Sequence, residues 1–176
     1  MFPVLETERL NLREIREDDA QSIFSCFSND KVTRFYGQET LNDIAQAKHF
    51  IDFFSKNYKE KRGIRWGIER KGTNELIGTI GFNAWSPKHK RAEIGYEIHP
   101  DFWSQGYTSE AVSKVLSYGF EVMELTRIGA VVFLENEASN KLLTKLGFKE
   151  EGILRDYMYQ NGKAYDTYVY SLLKYK

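Results

Sequence analysis

The chain has 176 residues, 41% of them hydrophobic, and its twelve Phe, eleven Tyr and three Trp can fill the core of one domain spanning 1–176. With 25 basic and 25 acidic residues evenly mixed, the formal net charge is zero, so no basic stripe argues for a nucleic-acid or anionic-membrane partner. Cys26 is the only cysteine, Met1 to Leu10 lacks the pattern of a signal peptide, and no segment approaches the roughly 20 apolar residues of a membrane span, so a cytoplasmic protein without disulfides is expected.

Leu10, Leu12 and Ile15 alternate with polar neighbours and predict a first strand. Asp18 and Asp19 then stand as an acidic cap before Ala20, Ile23, Phe24 and Phe27, which are apolar at helical spacing. After Gly37, Ile44, Ala47, Ile51, Phe54 and Tyr58 recur at helical intervals and predict a second, longer helix. The period then changes. "IRWGIERK" and "ELIGTIGFNAW" flank the turn signal "GTN", "RAEIGYEIH" follows, and the three runs predict an antiparallel meander.

The second half connects differently. Ala111, Val112, Val115, Leu116, Gly119, Phe120 and Met123 share one helical face, and "RIGAVVFL" reads as a strand buried on both sides. Strand, helix, strand in that order is a crossover that sets its two strands parallel. Asn136 precedes a short helix carrying Leu142, Leu143 and Leu146, which stops at Gly147. The tail "LRDYMYQNGKAYDTYVYSLL" predicts two strands around the hairpin signal Asn161-Gly162. The fold class is α+β on one mixed sheet.

The stretch "HPDFWSQGYTSEAV" sets small and polar residues where a strand hands over to a helix. A helix start offers unpaired N–H groups and partial positive charge, so it attracts an anion without any lysine. Gly106 lets backbone approach a phosphate, and Ser104, Thr108 and Ser109 add hydroxyl donors. The same residues also suit an ordinary tight turn with a helix cap, and local pattern alone leaves both readings open. Other phosphate loops are absent: there is no G-x-x-x-x-G-K-[ST], and no G-x-G-x-x-G follows a predicted strand. His49, His89 and His99 lack ligand spacing, so no metal is expected.

Taken together, "AEIGYEIHPDFWSQGYTSEAV", "NEASNKLLTKLGFKEEG", the opening "LETERLNLREIREDDA" and the closing "YVYSLL" resemble the GNAT superfamily of acetyl-CoA-dependent N-acetyltransferases over essentially the whole chain. The branch they resemble is that of the ribosomal-protein N-terminal acetyltransferases. The resemblance implies a mixed, mostly antiparallel central sheet with a splayed parallel pair of strands and helices on both faces. Acetyl-CoA is the implied co-substrate, with its pantetheine in the splay beside Ile98 and His99.

The family's pyrophosphate loop, [QR]-x-x-G-x-[GA], falls on Trp103, Ser104, Gln105, Gly106, Tyr107 and Thr108; Trp103 and Thr108 depart from it, and Ser109 follows in the first helical turn. Asn136 and Ser139 match N-x-x-S, which implies a pantetheine contact for the first and protonation of the coenzyme A thiolate for the second. Acetyl transfer also needs a base for the ammonium and a donor for the oxyanion; backbone N–H near Ile98 suits the donor. The position where the branch often carries an acid holds Met158, so Glu93 is the favoured base, with Glu97, on the same strand face, and Asp156 as alternatives. The acceptor side implied by the resemblance contains Tyr36, Trp85 and Tyr157, with Arg34, Phe35 and Tyr159 nearby.

The activity expected is direct acetyl transfer to a primary amine, with a protein N-terminus as acceptor. A small amine is the alternative acceptor, and a non-catalytic acyl-CoA sensor is the alternative class. Cys26 lies in a predicted helix away from every site motif, which argues against a covalent enzyme intermediate. The tyrosine-rich hairpin and an open sheet edge leave a homodimer as a further expectation.

Overall fold

The computed structural model describes residues 1–175. Its eight strands are β1 (Leu5–Glu6), β2 (Leu10–Glu14), β3 (Ile64–Arg70), β4 (Leu76–Ser86), β5 (Arg91–Ile98), β6 (Arg127–Phe133), β7 (Lys149–Gln160) and β8 (Lys163–Leu173). Five helices, α1 (Ala20–Phe27), α2 (Asp30–Thr33), α3 (Ile44–Lys59), α4 (Tyr107–Glu121) and α5 (Glu137–Lys145), complete the order with two short 3-10 turns. All strands join one sheet in the order β1-β2-β3-β4-β5-β6-β8-β7. Every adjacent pair is antiparallel except β5 and β6.

Each face of the sheet buries its own apolar layer. Trp66, Phe82, Ile128 and Leu143 pack with the α4 residues Val112 and Val115 on one side. Ile23 and Phe27 of α1 meet Ala47 and Ile51 of α3 on the other. The helical stripes and the period-two strands therefore do what their spacing requires. Gly119 sets how closely α4 lies on the sheet, because a Cβ there would meet the Phe82 ring at 2.8 Å. The predicted hairpin turns at Asn161 and Gly162, both with positive φ (52° and 74°), as a two-residue primed turn demands.

Three local readings change. Asp19 does not cap α1 through its side chain. Its carboxylate instead takes Arg13 Nη1 and Nη2, each at 2.9 Å, and the Arg16 backbone N–H, because Arg13 is a nearly buried cation that needs a partner. The two-residue strand β1 and the four-residue helix α2 are too short to leave a period in the sequence. The tail strand begins at Lys149 and not near Leu154, and it breaks register at Gly152 and again between Leu154 and Met158.

Candidate active site

The parallel pair comes apart almost at once. β5 and β6 are in register only at Arg91 with Arg127, Ala92 with Ile128 and Glu93 with Gly129. Beyond Glu93, β5 stays with β4 as far as Ile98, while β6 stays with β8 as far as Phe133. His99 N–H bonds Ile77 O at 2.8 Å, and the β4–β5 register pairs Gly78 with Ile98. Antiparallel strands alternate bonded and non-bonded pairs, so the N–H and C=O of Tyr96 and Ile98 point away from β4 into the opening. Ile98 O accepts Trp103 Nε1 at 2.6 Å, which leaves the Ile98 N–H as a donor facing the gap.

Two cavities of about 580 and 610 Å³ meet at this opening, and Phe35, Tyr36, Tyr96, Asn136 and Ser139 line both. The larger runs past Trp103, Ser104 and Thr108 toward the start of α4. The smaller opens between α3, the segment 35–38 and Met158 of β7. A long ligand entering by α4 can therefore place its tip where a second molecule arrives from the other side.

The loop before α4 has the backbone shape that its small residues promised. Ser104 and Gly106 have φ of 61° and 84°, and Glu110 N–H is the first to bond back, to Gly106 O at 3.1 Å. The amides of Tyr107, Thr108 and Ser109 thus belong to the unpaired first turn of a 15-residue helix. Arg9 braces the loop from outside. Its guanidinium donates to Glu110 Oε1 (2.8 Å) and to Gln105 O (2.9 Å) and lies 4.2 Å from the Tyr107 ring centre. A Cβ on Gly106 would meet Arg9 Nη2 at 3.2 Å.

At the meeting point Tyr96 and Ser139 share a hydrogen bond of 2.6 Å between hydroxyls. Burial pushes the Tyr96 phenol up to about 12, so it stays protonated as a donor. Asn136 accepts the Ser139 N–H and fixes the first turn of α5. Glu93 is the one carboxylate lining the smaller cavity, and burial raises its carboxyl above the ordinary value against the opposing pull of Arg127 and Arg91. Glu97, on the same strand face, is buried beneath the larger cavity and pushed up to about 7 by burial. Thr79 donates to Glu97 Oε1, while Oε2 has no partner among the described residues. Arg65 Nη1 approaches Glu97 only to 4.0 Å, because the same nitrogen donates to Gly95 O at 2.8 Å and Nη2 reaches the Tyr36 hydroxyl at 3.1 Å.

Of the residues expected from the sequence, Trp103, Ser104, Thr108, Ile98, Asn136, Ser139, Tyr36 and Glu93 line the joined cavities. Gln105 and Gly106 in the loop and Tyr107 and Ser109 in the first turn of α4 do not line them, and the Tyr107 side chain is core. His99 is not brought to the site: its ring nitrogen accepts Asp101 N–H, its N–H bonds Ile77 and its carbonyl accepts Phe102 N–H. Trp85 packs against the core and lines neither cavity. Tyr157 is half exposed on β7 and points away, because period two sends Met158 inward instead. Asp156 sits exposed at a bulge with φ 49°. Arg65, Tyr96, His49 and the α3 aromatics were not among the site residues expected from the sequence. Tyr96 could have been found as the neighbour of Ile94 and Ile98 in "EIGYEI", whereas nothing local marks Arg65.

A sheet whose parallel strands part over an opening, with a loop of unpaired amides at one end and a second cavity at the other, is the architecture that the resemblance implies for an acyl-CoA-dependent transferase. Residues 9–149 match the family model described as "Acetyltransferase (GNAT) domain", and the chain belongs to that family. The chain is similar to the "Uncharacterized N-acetyltransferase YoaA" of Bacillus subtilis (strain 168), at 63% identity over 99% of this chain and 98% of YoaA. It is similar at 29% identity, over 99% and 96% of the two chains, to the "Putative ribosomal N-acetyltransferase YdaF" of the same organism. The Spermidine N(1)-acetyltransferase of Escherichia coli (strain K12) shares 26% identity over 88% of this chain and 80% of that protein. Among solved structures, the ribosomal L7/L12 acetyltransferase RimL in complex with coenzyme A superposes with a TM-score of 0.86 at 20% identity, over 97% and 98% of the chains.

The protein is thus a GNAT N-acetyltransferase using acetyl-CoA, and the non-catalytic sensor weighed from the sequence gives way. Among the described residues no cluster of three His, Cys, Asp or Glu side chains forms a metal site, and no helix is long and apolar enough to cross a membrane.

Proposed function

We propose that the chain acetylates the α-amine of a protein or peptide N-terminus by direct attack, within the opening between β5 and β6. The observation that carries this reading is the convergence of two cavities on the Tyr96–Ser139 hydroxyl pair. The cofactor's side is the cavity by α4, where the Tyr107, Thr108 and Ser109 amides receive the pyrophosphate and the Tyr96 and Ile98 backbone faces the pantetheine. Acetyl-CoA supplies the thioester acyl group.

The chain's own residues then divide the proton work. Glu93 takes a proton from the incoming ammonium, directly or through one water, and its raised proton affinity suits that task. Ile98 N–H faces the developing oxyanion. Ser139 gives a proton to the departing thiolate, backed by the Tyr96 phenol. Cys26 stays out of the reaction, since it is buried in α1, lines neither cavity, and burial raises its thiol far from the reactive form. For the acceptor, support comes from the name of the YdaF relative and from the second cavity, which opens between α3 and β7.

The test is thiol release from acetyl-CoA with N-terminal peptides and small amines as acceptors. A Glu93→Gln variant should lose the alkaline-rising limb of kcat/KM. An unchanged pH profile would remove Glu93 as the base, and thiol release with small amines but no peptide would overturn the peptide acceptor.

A further inference from the structure

The acceptor cavity is walled in a way the reaction itself does not require. Phe50, Phe53 and Phe54 project from one side of α3 at spacings of three and four residues. Phe35 and Phe133 face each other at 6.2 Å between ring centres, and Met158 closes the floor beneath Gly37. Phe53 is 57% exposed at the mouth, so it is not there to fill the core beneath α3. An exposed phenylalanine beside a cavity of this kind is surface held ready for an apolar group.

The charges point the same way. Among the lining residues, Glu93 is the one carboxylate and Arg65 the one Lys or Arg side chain. A polyamine brings several ammonium groups, and all but the reacting one would need further carboxylates once out of water. An acidic side chain would need a free cation, yet Arg65 already donates to Gly95 O and the Tyr36 hydroxyl and lies over the Phe54 ring at 5.5 Å.

We infer that the accepted amine sits next to a large apolar or aromatic side chain, which the wall of Phe35, Phe50, Phe53, Phe54, Phe133 and Met158 receives. The inference rests on the reading of this opening as the acetyl-transfer site. Recognition is by burial of the first side chain; backbone and Glu93 handle the amine.

The experiment compares kcat/KM for thiol release with peptides that differ only in their first residue, Phe, Leu, Ser, Asp or Lys, and with spermidine. Full burial of one large apolar side chain predicts that Phe and Leu exceed Ser by about 30-fold, with Asp and spermidine lower still. Phe53→Glu, a change at an exposed position, should narrow the Phe-over-Lys ratio at least about 10-fold, as expected for one charge at the mouth. Turnover that is equal for Ser and Phe, or greatest for Asp or spermidine, overturns the apolar inference while acetyl transfer stands. An unaltered ratio in Phe53→Glu overturns the wall's role. Absence of thiol release with every amine overturns both this inference and the acetyl-transfer reading of the opening.

Discussion

Glu97→Gln isolates a single buried carboxyl. Glu97 is 6% exposed, takes a hydrogen bond from Thr79 and faces Arg65 at 4.0 Å, and burial pushes it from 4.5 to about 7. Between those two values the folded chain keeps a proton that the unfolded chain gives up. Stability therefore falls as pH rises through the window, and it is level above it. A rise from 4.5 to about 7, at about 1.36 kcal/mol for each pH unit, amounts to about 3 kcal/mol. Gln keeps an acceptor for Thr79 and carries no proton to lose. It also removes the negative partner of Arg65, which lowers stability at every pH above the window, so slope and not level is the readout. Urea unfolding at intervals from pH 4.5 to 8.5 should show the wild-type unfolding free energy declining relative to the variant by about 3 kcal/mol in total. Parallel curves for the two proteins would refute the assignment of a raised carboxyl at Glu97.

Arg9→Ala should raise KM for acetyl-CoA about 10-fold with kcat nearly unchanged, because it releases Gln105 O and Glu110 from outside the loop; Arg9→Lys should not restore it, lacking the fork that reaches both. Ser139→Ala should lower kcat about 100-fold at an unchanged Kd for coenzyme A, and Tyr96→Phe should lower it less, measured by steady-state kinetics alongside calorimetry. Gln160→Leu removes the amide that bonds Gly37 N, Thr33 O and Gln38 O. That leaves three backbone groups to find new partners, so thermal unfolding should report a loss of about 3 kcal/mol, and KM for the acceptor should rise.

The parts of the fold visible in the sequence are those fixed by local demands. Helical stripes such as Ile23 and Phe27, the Asn161-Gly162 turn and the Gly106 loop each need particular residues at short range, so their spacing carries the information. The shape of the loop before α4 was legible for the same reason, since its positive-φ turn and unpaired first-turn amides are built within six residues. The carboxylates were not. Glu93 and Glu97 are four positions apart on one strand, yet their surroundings come from Arg65 on β3, Thr79 on β4, Tyr36 beyond α2, and Arg127 on β6. No pattern within β5 reports what lies across three other strands. His99 and Tyr157 were misplaced by a simpler cause: in each case one step of strand phase or chain direction turned the side chain from the opening.

Met158 gains its meaning from that three-dimensional view. Its sulfur lies 3.0 Å from where a Gly37 Cβ would stand, and Gln160, two residues along the same strand face, ties the segment around Gly37 to the hairpin. The floor of the smaller cavity is thus a methionine clamped under a glycine, continuous with the aromatic wall of α3. A carboxylate at this position would lie against that wall with no cation beside it, since Arg65 is committed elsewhere. An apolar floor and an acid there are mutually exclusive. On the proposed reading the base is the one carboxylate lining this cavity, Glu93, which stands opposite Gly129 at the end of the paired segment of β5, where the strands part.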